Sequence, residues 1–462
     1  MSDELPQGWI WAKMLDILDY EGGSQPPKKE FIYEPREDYV RLLQIRDFGD
    51  KPFPTYIPDS KRLKKATRDD LLLARYGGSS GSDSLGRICT GLYGAYNVAL
   101  AKLVFPLELL EKDYVRYLFL GPWLREKVSQ NSRSCQTGFN REDLVDIQFP
   151  IAPLAEQRRI VAKLEKLLGK VDACQKRLDK IPIILKRFRQ SILLAACSGR
   201  LTADWREENP DVGNAKAQIK EERFSLSESA EDLPGLPETW AWVTLGNYAR
   251  CFRGKFTPRP RNDPRYFNGK HPFIQIGNLP REGGFVTSHN QTLNDEGLAV
   301  SRKFPKGTVV IAIVGATIGN TGVLAYDMCV TDSLVGMQTG TPEGNRYLEF
   351  FLRHKKHDIR QSSYSSGGQP NIKLEFLNPY PFALPPLPEQ REIVHRVEAL
   401  FALADRIEAR YHKAKSHTDK LTQSILAKTF RGELVPQDPK DESASELLVR
   451  IKEERAEKRV RP

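Results

Sequence analysis

Two long stretches of the chain place apolar residues at strict four-three spacing. In the first, Ile160, Leu164, Leu167, Val171, Cys174, Leu178, Ile181, Leu185, Phe188, Ile192 and Ala195 form one line; in the second, Ile393, Val397, Leu400, Ala404, Ile407, Tyr411, Ala414, Thr418, Leu421 and Ile425 do the same. This spacing marks a helix that packs along one continuous seam, so both seams are expected to face a helix. Roughly 36 residues at about 1.5 Å each make a rod on the order of 54 Å, longer than a globular domain needs to close its own core. Pro182 interrupts the first run and predicts a bend near Ile181, because an interior proline removes a backbone donor and clashes with the preceding turn.

Elsewhere the pattern shortens to apolar runs between Gly, Pro and Asn. Strands are predicted over 39–45, 71–75, 95–104, 273–276, 308–314 and 322–324, and helices over 113–130 and 345–361. Each half therefore reads as an α+β domain.

The halves repeat one another. Leu5-Pro6-Gln7-Gly8-Trp9-Ile10-Trp11 returns as Leu236-Pro237-Glu238-Thr239-Trp240-Ala241-Trp242. Pro153-Leu154-Ala155-Glu156-Gln157-Arg158 returns as Pro386-Leu387-Pro388-Glu389-Gln390-Arg391, and Gln190-Ser191-Ile192-Leu193 as Gln423-Ser424-Ile425-Leu426, both 233 positions on. Gly199 and Gly432 keep that offset and suit helix C-caps. The prolines and Glu-Gln of each P-L-x-E-Q segment suit a helix's first turn, where donors are missing and the dipole is positive. The expected division is 1–152 and 235–385 for two similar domains, 153–199 and 386–432 for the rods, 200–234 for a polar linker with a short helix near 215–223, and 433–462 for a charged tail with a final helix at 443–459.

The charge balance is 70 Lys+Arg against 60 Asp+Glu, a net +10, which favours an acidic partner such as nucleic acid. The cysteines Cys89, Cys135, Cys174, Cys197, Cys251 and Cys329 never form a C-x-x-C pair and read as small buried apolar residues. No apolar window reaches membrane-span length and Met1-Ser2-Asp3-Glu4 is not a signal sequence, so a cytoplasmic protein without a membrane partner is expected.

Candidate enzyme chemistry is thin. Gly81 to Ile88 has the glycine spacing of a phosphate-binding loop but offers Arg87-Ile88 where Lys and a hydroxyl are needed. Asn378-Pro379-Tyr380-Pro381 has the composition of the N-P-P-Y loop of amino-methyltransferases in the wrong order, with no cofactor loop before it, and reads better as a strand leading into Pro386. His354 and His357 stand amid Arg353, Lys355 and Lys356, which would repel a metal, and read as a solvated basic helix face. No nucleophile, carboxylate pair or metal set emerges, so no catalytic centre and no cofactor are expected.

The duplicated L-P-x-x-W-x-W, P-L-x-E-Q-R and Q-S-I-L…G motifs, in this order, resemble the specificity subunits of type I restriction-modification systems over nearly the whole chain. The resemblance implies two target-recognition domains held apart by two antiparallel helices, each reading one half of a split site in double-stranded DNA. It also implies two methyltransferase subunits docked on the helical frame and motor-nuclease subunits joining for restriction. A fused enzyme with its own methyltransferase activity and a plain coiled-coil scaffold are the competing classes; the missing methyltransferase loops weigh against the first, the two β-rich domains with basic loops against the second.

Base edges are read by Arg, Lys, Gln, Asn and Ser on loops and strand ends. In the first domain these are Gln44 and Arg46 after a strand, and Arg75, Tyr76, Ser79, Ser80 and Arg87 around a glycine-rich loop. In the second, Gln275 and Asn278 correspond to the Gln44 segment, Thr317 and Asn320 to the glycine loop, and Arg253, Lys255, Arg259 and Arg261 add a positive stretch, with Tyr364 and Gln369 in a polar loop.

Overall fold

The computed structural model describes residues 4–49, 51–76, 85–120, 140–218, 233–364 and 371–460, with side chains to 457. The chain clusters into two compact units, Met1–Leu178 with His412–Pro462, and Asp179–Tyr411.

The first unit carries two four-stranded sheets. One has the order Asp19–Gly22, Leu100–Val104, Leu71–Ala74, Ile88–Cys89; the other Tyr56–Pro58, Tyr39–Leu43, Gly94–Tyr96, Lys65–Ala66. The second unit repeats this topology. Arg250–Arg253, Leu334–Gln338, Val309–Ala312 and Thr321–Leu324 form one sheet, extended by Phe285–Val286, and Gln291–Leu293, Phe267–Ile274, Met328–Val330 and Arg302–Phe304 form the other. The expected single strand over 95–104 is two strands in different sheets, because the chain turns at Asn97–Ala99: Leu100 N donates back to Asn97 O and Ala99 N to the Asn97 side chain.

The expected helix over 345–361 is likewise two, Pro342–His354 and Lys356–Tyr364. That over 113–130 is observed as Lys112–Leu118, and positions 121–130 lie outside the described residues. The final helix, Ala444–Val460, is docked rather than a loose tail: Ala444, Leu447 and Ile451 enter the first unit's core and Arg455 donates to Leu15 O and Leu18 O.

The first periodic run forms Leu154–Leu178 and Ile181–Cys197, with Pro182 in the first turn of the new helix, where its missing donor costs nothing. The second run, with no interior proline, is one helix of 44 residues, Leu387–Phe430. In the first unit Ile160 and Leu164 share a core with Leu426 and Phe430 while Gln175 donates to Asp419, so the segments run antiparallel. In the second, Arg189 bonds Asp405 and Glu408 while Ile192 shares a core with Ile393 and Val397, again antiparallel. The seam is incompletely covered: Cys174 is exposed, Ile407 is 38% and Leu421 47% exposed, since one partner helix shields only part of each circumference. Cys89, Cys197 and Cys329 are buried as expected, Cys251 is half-buried, and Cys135 lies outside the described residues.

Each rod begins in a buried polar junction. Trp9 Nε1 donates to Glu156 Oε2 at 2.9 Å, and Trp240 Nε1 to Glu389 Oε2 at 2.8 Å; both glutamates are essentially inaccessible. Gln157 and Gln390 donate to Ala152 O and Pro385 O, and the buried Tyr114 and Tyr347 donate to Pro150 O and Ala383 O. Burial pushes the Glu156 carboxyl above its ordinary range, against the bonds from Trp9 and Gln437. These glutamates therefore do more than complement a helix dipole: they pin the first motif to the second. The third motif completes the junction. Gly199 and Gly432 have φ of +74° and +71°, and a Cβ there would lie 2.5 Å from Pro237 Cγ and 2.1 Å from Pro6 Cγ respectively.

Gly199→Ala and Gly432→Ala should each destabilise the protein by about 1–3 kcal/mol, from left-handed backbone and the proline contact, whereas Gly169→Ala, in a helix with nothing within 4 Å, should stabilise by about 0.5–1 kcal/mol. Denaturant unfolding midpoints distinguish these signs. Glu156→Gln should lose less stability at pH 7 than at pH 4, because a carboxyl with a raised folded-state pKa contributes fully below its unfolded pKa and loses that contribution as pH rises. Equal losses at both pH values would contradict it.

Candidate nucleic-acid interface

In the second unit, the ends of several strands bring Arg253, Arg259, Arg261 and Gln275 to one place. Arg253 ends a strand whose neighbour begins at Leu334, Gly254 N donates to Leu334 O, and Ile313 N donates to Ser333 O. Thr331 N donates to Ile274 O, so Gln275 emerges beside the same Thr331–Ser333 turn. The backbone contact is close: a Cβ on Gly254 would lie 2.0 Å from Thr331 O.

Asp332, which the sequence did not single out, organises the arginines. Arg253 Nε donates to its carbonyl at 2.7 Å, Arg261 reaches its Oδ2 at 2.9 Å and Arg259 the same oxygen at 3.5 Å. Arg259 also donates to Pro258 O at 2.8 Å. Lys255 is exposed and, among the described residues, has no side-chain partner. Arg302, also unanticipated, donates to Arg253 O at 2.5 Å and lies over the exposed Phe252 ring at 5.7 Å. The result is an exposed edge with several guanidinium groups around a single carboxylate.

Gln275 and Asn278 form a 3-10 turn in which Gln275 N donates to Asn278 Oδ1 at 2.9 Å, and the Gln275 amide donates to Gln291. Asn278 thus serves the turn. Thr317 and Asn320 lie on the turn after Val309–Ala312, where Asn320 N donates to Thr317 O; the Thr317 hydroxyl is buried. Tyr364 ends the helix Lys356–Tyr364, and its side chain and Gln369 lie outside the described residues.

The first unit builds its counterpart from the same strand ends. Gln44 N donates to Asp47 Oδ2 at 2.9 Å, repeating the Gln275–Asn278 turn, while the Gln44 amide and Arg46 both donate to Thr55 Oγ1. Arg46 lies 5.1 Å over the half-exposed Phe53 ring, and Arg87 donates to Phe48 O at 2.5 Å. Ala74 N donates to Arg87 O, which puts Arg75 and Arg87 just beyond the neighbouring ends of two paired strands. Arg75 donates to Val98 O and Asn140 Oδ1 and lies over the rings of Tyr20 and the exposed Tyr76, both at 5.6 Å. Burial pushes the Tyr20 hydroxyl up to about 12 despite that guanidinium. Ser79 and Ser80 lie outside the described residues.

Of the histidine pair, His357 is exposed, as a solvated face requires, and His354 is not. His354 is half-buried, and burial followed by neighbouring Lys355 holds its pKa below the usual value. The segment 378–381 leads into the strand Pro381–Leu384, which pairs with Ala241–Thr244. Among the described residues no cluster of three metal-ligating side chains occurs, and no helix is long and apolar enough to cross a membrane.

A profile of the type I restriction modification DNA specificity domain matches residues 237–415. The chain is 31% identical to the EcoDI type I restriction enzyme specificity subunit of Escherichia coli, covering 79% of this chain and 81% of that protein. The chain belongs to the type I restriction enzyme specificity subunits. It is also 27% identical to the EcoKI specificity subunit of Escherichia coli K12, over 98% of this chain and 97% of the relative. The fold is similar to the HsdS subunit of Thermoanaerobacter tengcongensis, with a TM-score of 0.57 and 19% identity over 94% of this chain and 99% of that one. A chain from a structure of type I restriction-modification complex assembly gives a TM-score of 0.68, also at 19% identity, over 93% and 99%. For a specificity subunit, clustered arginines at strand ends are the chemistry a DNA interface requires.

Asp332→Asn should raise affinity for a random-sequence duplex by roughly two- to tenfold at low salt, because one repelling charge leaves the edge. Fluorescence anisotropy would register the change; unaltered affinity would place Asp332 outside the interface.

Proposed function

We propose that this specificity subunit reads a bipartite, asymmetric site in double-stranded DNA, one half with each sheet-end edge. The first edge comprises Gln44, Arg46, Arg75 and Arg87; the second comprises Arg253, Lys255, Arg259, Arg261, Gln275 and Asn320. The observation that carries this reading is the convergence of Arg253, Arg259 and Arg261 on Asp332, at the strand ends that also present Gln275. Such an edge supplies bidentate donors for guanine and positive charge for phosphates. The topology repeated in the first unit supplies a second edge on the same plan.

The chain carries no catalytic centre of its own in this reading. Methylation of adenine is the work of two methyltransferase subunits docked on the helical frame, and cleavage the work of motor-nuclease subunits that join the complex; the protein acts on DNA in the cytoplasm. The rods serve as a ruler, their length setting the number of unread base pairs between the half-sites.

Modified-base mapping of DNA from cells expressing this chain with its methyltransferase partner should reveal one split, non-palindromic motif. Arg259→Ala with Arg261→Ala should relax one half of that motif by about 1–3 kcal/mol of discrimination per lost base contact and leave the other half intact. Loss of both halves together would refute independent reading. Inserting four residues in one rod, about 6 Å, should lengthen the unread spacer by roughly one or two base pairs at about 3.4 Å each. An unchanged spacer in the same mapping would refute the ruler.

A further inference from the structure

The second unit contains a cavity of about 580 Å³ between the helix Ile181–Cys197, the loop at Arg281 and the helices on either side of Lys355. Lys186, Arg189, Arg281, Arg353, Lys356 and Arg360 line it, with Glu282 as the one carboxylate on its wall. Arg189 is held by Asp405 and Glu408, and Arg353 lies within 4.0 Å of Glu349 and over the Phe401 ring. Among the described residues, the side chains of Lys186, Arg281 and Lys356 make no hydrogen bond or salt bridge, although the Glu282 carboxylate attracts Lys356. Three elements thus bring cations to one space against a single carboxylate on its wall, an excess of positive charge that an anion would offset.

The cavity adjoins the reading edge. Gly319, in the turn that carries Thr317 and Asn320, lies against Lys356: a Cβ there would be 3.1 Å from Lys356 Cγ. Arg281 follows the Gln275–Asn278 turn by three residues. The duplicated frame does not repeat this chemistry, since the positions 233 residues after Lys186 and Arg189 are Asp419 and Thr422. A partner docking on the repeated frame would meet unlike charges in the two halves, whereas the second edge and the cavity beside it both carry more cations than carboxylates.

We propose that this cavity seats the phosphodiester backbone next to the bases read by the second edge, with Lys186, Arg281 and Lys356 as phosphate contacts that supply affinity without sequence preference. The inference rests on the DNA-reading function above. Burial lowers the Lys356 pKa; the Glu282 carboxylate opposes this and the neighbouring Arg360, Arg353 and Lys186 add to it.

The test uses the full chain with its methyltransferase partner and a duplex bearing the mapped target. The triple variant Lys186→Ala, Arg281→Ala, Lys356→Ala should lower the slope of log affinity against log salt by about 2–3, since each phosphate contact contributes roughly 0.9, and should leave the methylated motif unchanged. Lys186→Arg with Lys356→Arg should retain the wild-type slope, which separates charge from folding. An unchanged slope in the triple variant, while Arg259→Ala with Arg261→Ala still relaxes one half-site, overturns the cavity and leaves the reading edge standing. If neither set alters binding or motif, the DNA-reading function falls with it. If inorganic phosphate raises the melting temperature of the wild type but not of the triple variant, and the DNA slope is unaltered, the cavity takes a free anion and the proposal is likewise overturned.

Discussion

The buried indole–carboxylate bond at the head of each rod is the interaction on which the architecture depends. A carboxylate removed from water is costly unless donors surround it, and Trp9 and Trp240 provide those donors from the start of each half. The bond unites residues 147 or 149 positions apart, so it closes a loop that holds all the intervening sheets. The left-handed glycine that ends a rod then packs on the proline three residues before each tryptophan. Gly432 meets Pro6 and Gly199 meets Pro237, so each unit is closed by the helix that terminates the other half of the sequence.

Within this common plan the two junctions differ in charge. Thr202 and Arg206 donate to Glu389, whereas Glu156 receives an amide from Gln437 at 3.3 Å. At Glu156 burial raises the pKa, and the bonds from Trp9 and Gln437 offset that only in part. The segment 200–234 is thereby more than a connector: Ala203–Glu208 forms a helix because Thr202, Asp204 and Arg206 are fixed to Glu389 and Arg396.

The sequence made the rods, their break at Pro182 and the duplicated topology legible, because periodicity, proline placement and repetition are local or translational signals. The Trp–Glu pairs were invisible, since two residues that meet across nearly 150 positions leave no spacing signature. The same holds for Asp332, 79 residues from Arg253: the basic run was readable, its organiser was not. The apolar character of 95–104 resumes at Val98 while the backbone changes sheet, so periodicity alone merges two strands into one. The helix ends at Lys355, whose φ of −84° and ψ of 3° leave the helical region where amphipathic spacing alone continues. Cys174 occupied a seam position by period, but a two-helix pair does not cover every seam residue.

A duplicated frame with unlike linings separates two tasks that a single surface would have to compromise. The junction residues recur because the same backbone closure must be achieved twice. The strand-end edges need only hold a loop at a fixed place, which Gly254 does by approaching Thr331 and Gly23 by approaching Asn97, each too closely for a Cβ. With the backbone anchored there, side chains beyond it are free to differ: Arg75 is clamped by Asn140 and two tyrosines, whereas Arg259 and Arg261 share one aspartate at an exposed edge. Two halves built on one scaffold can therefore present different donor patterns, and a target whose halves differ requires that independence.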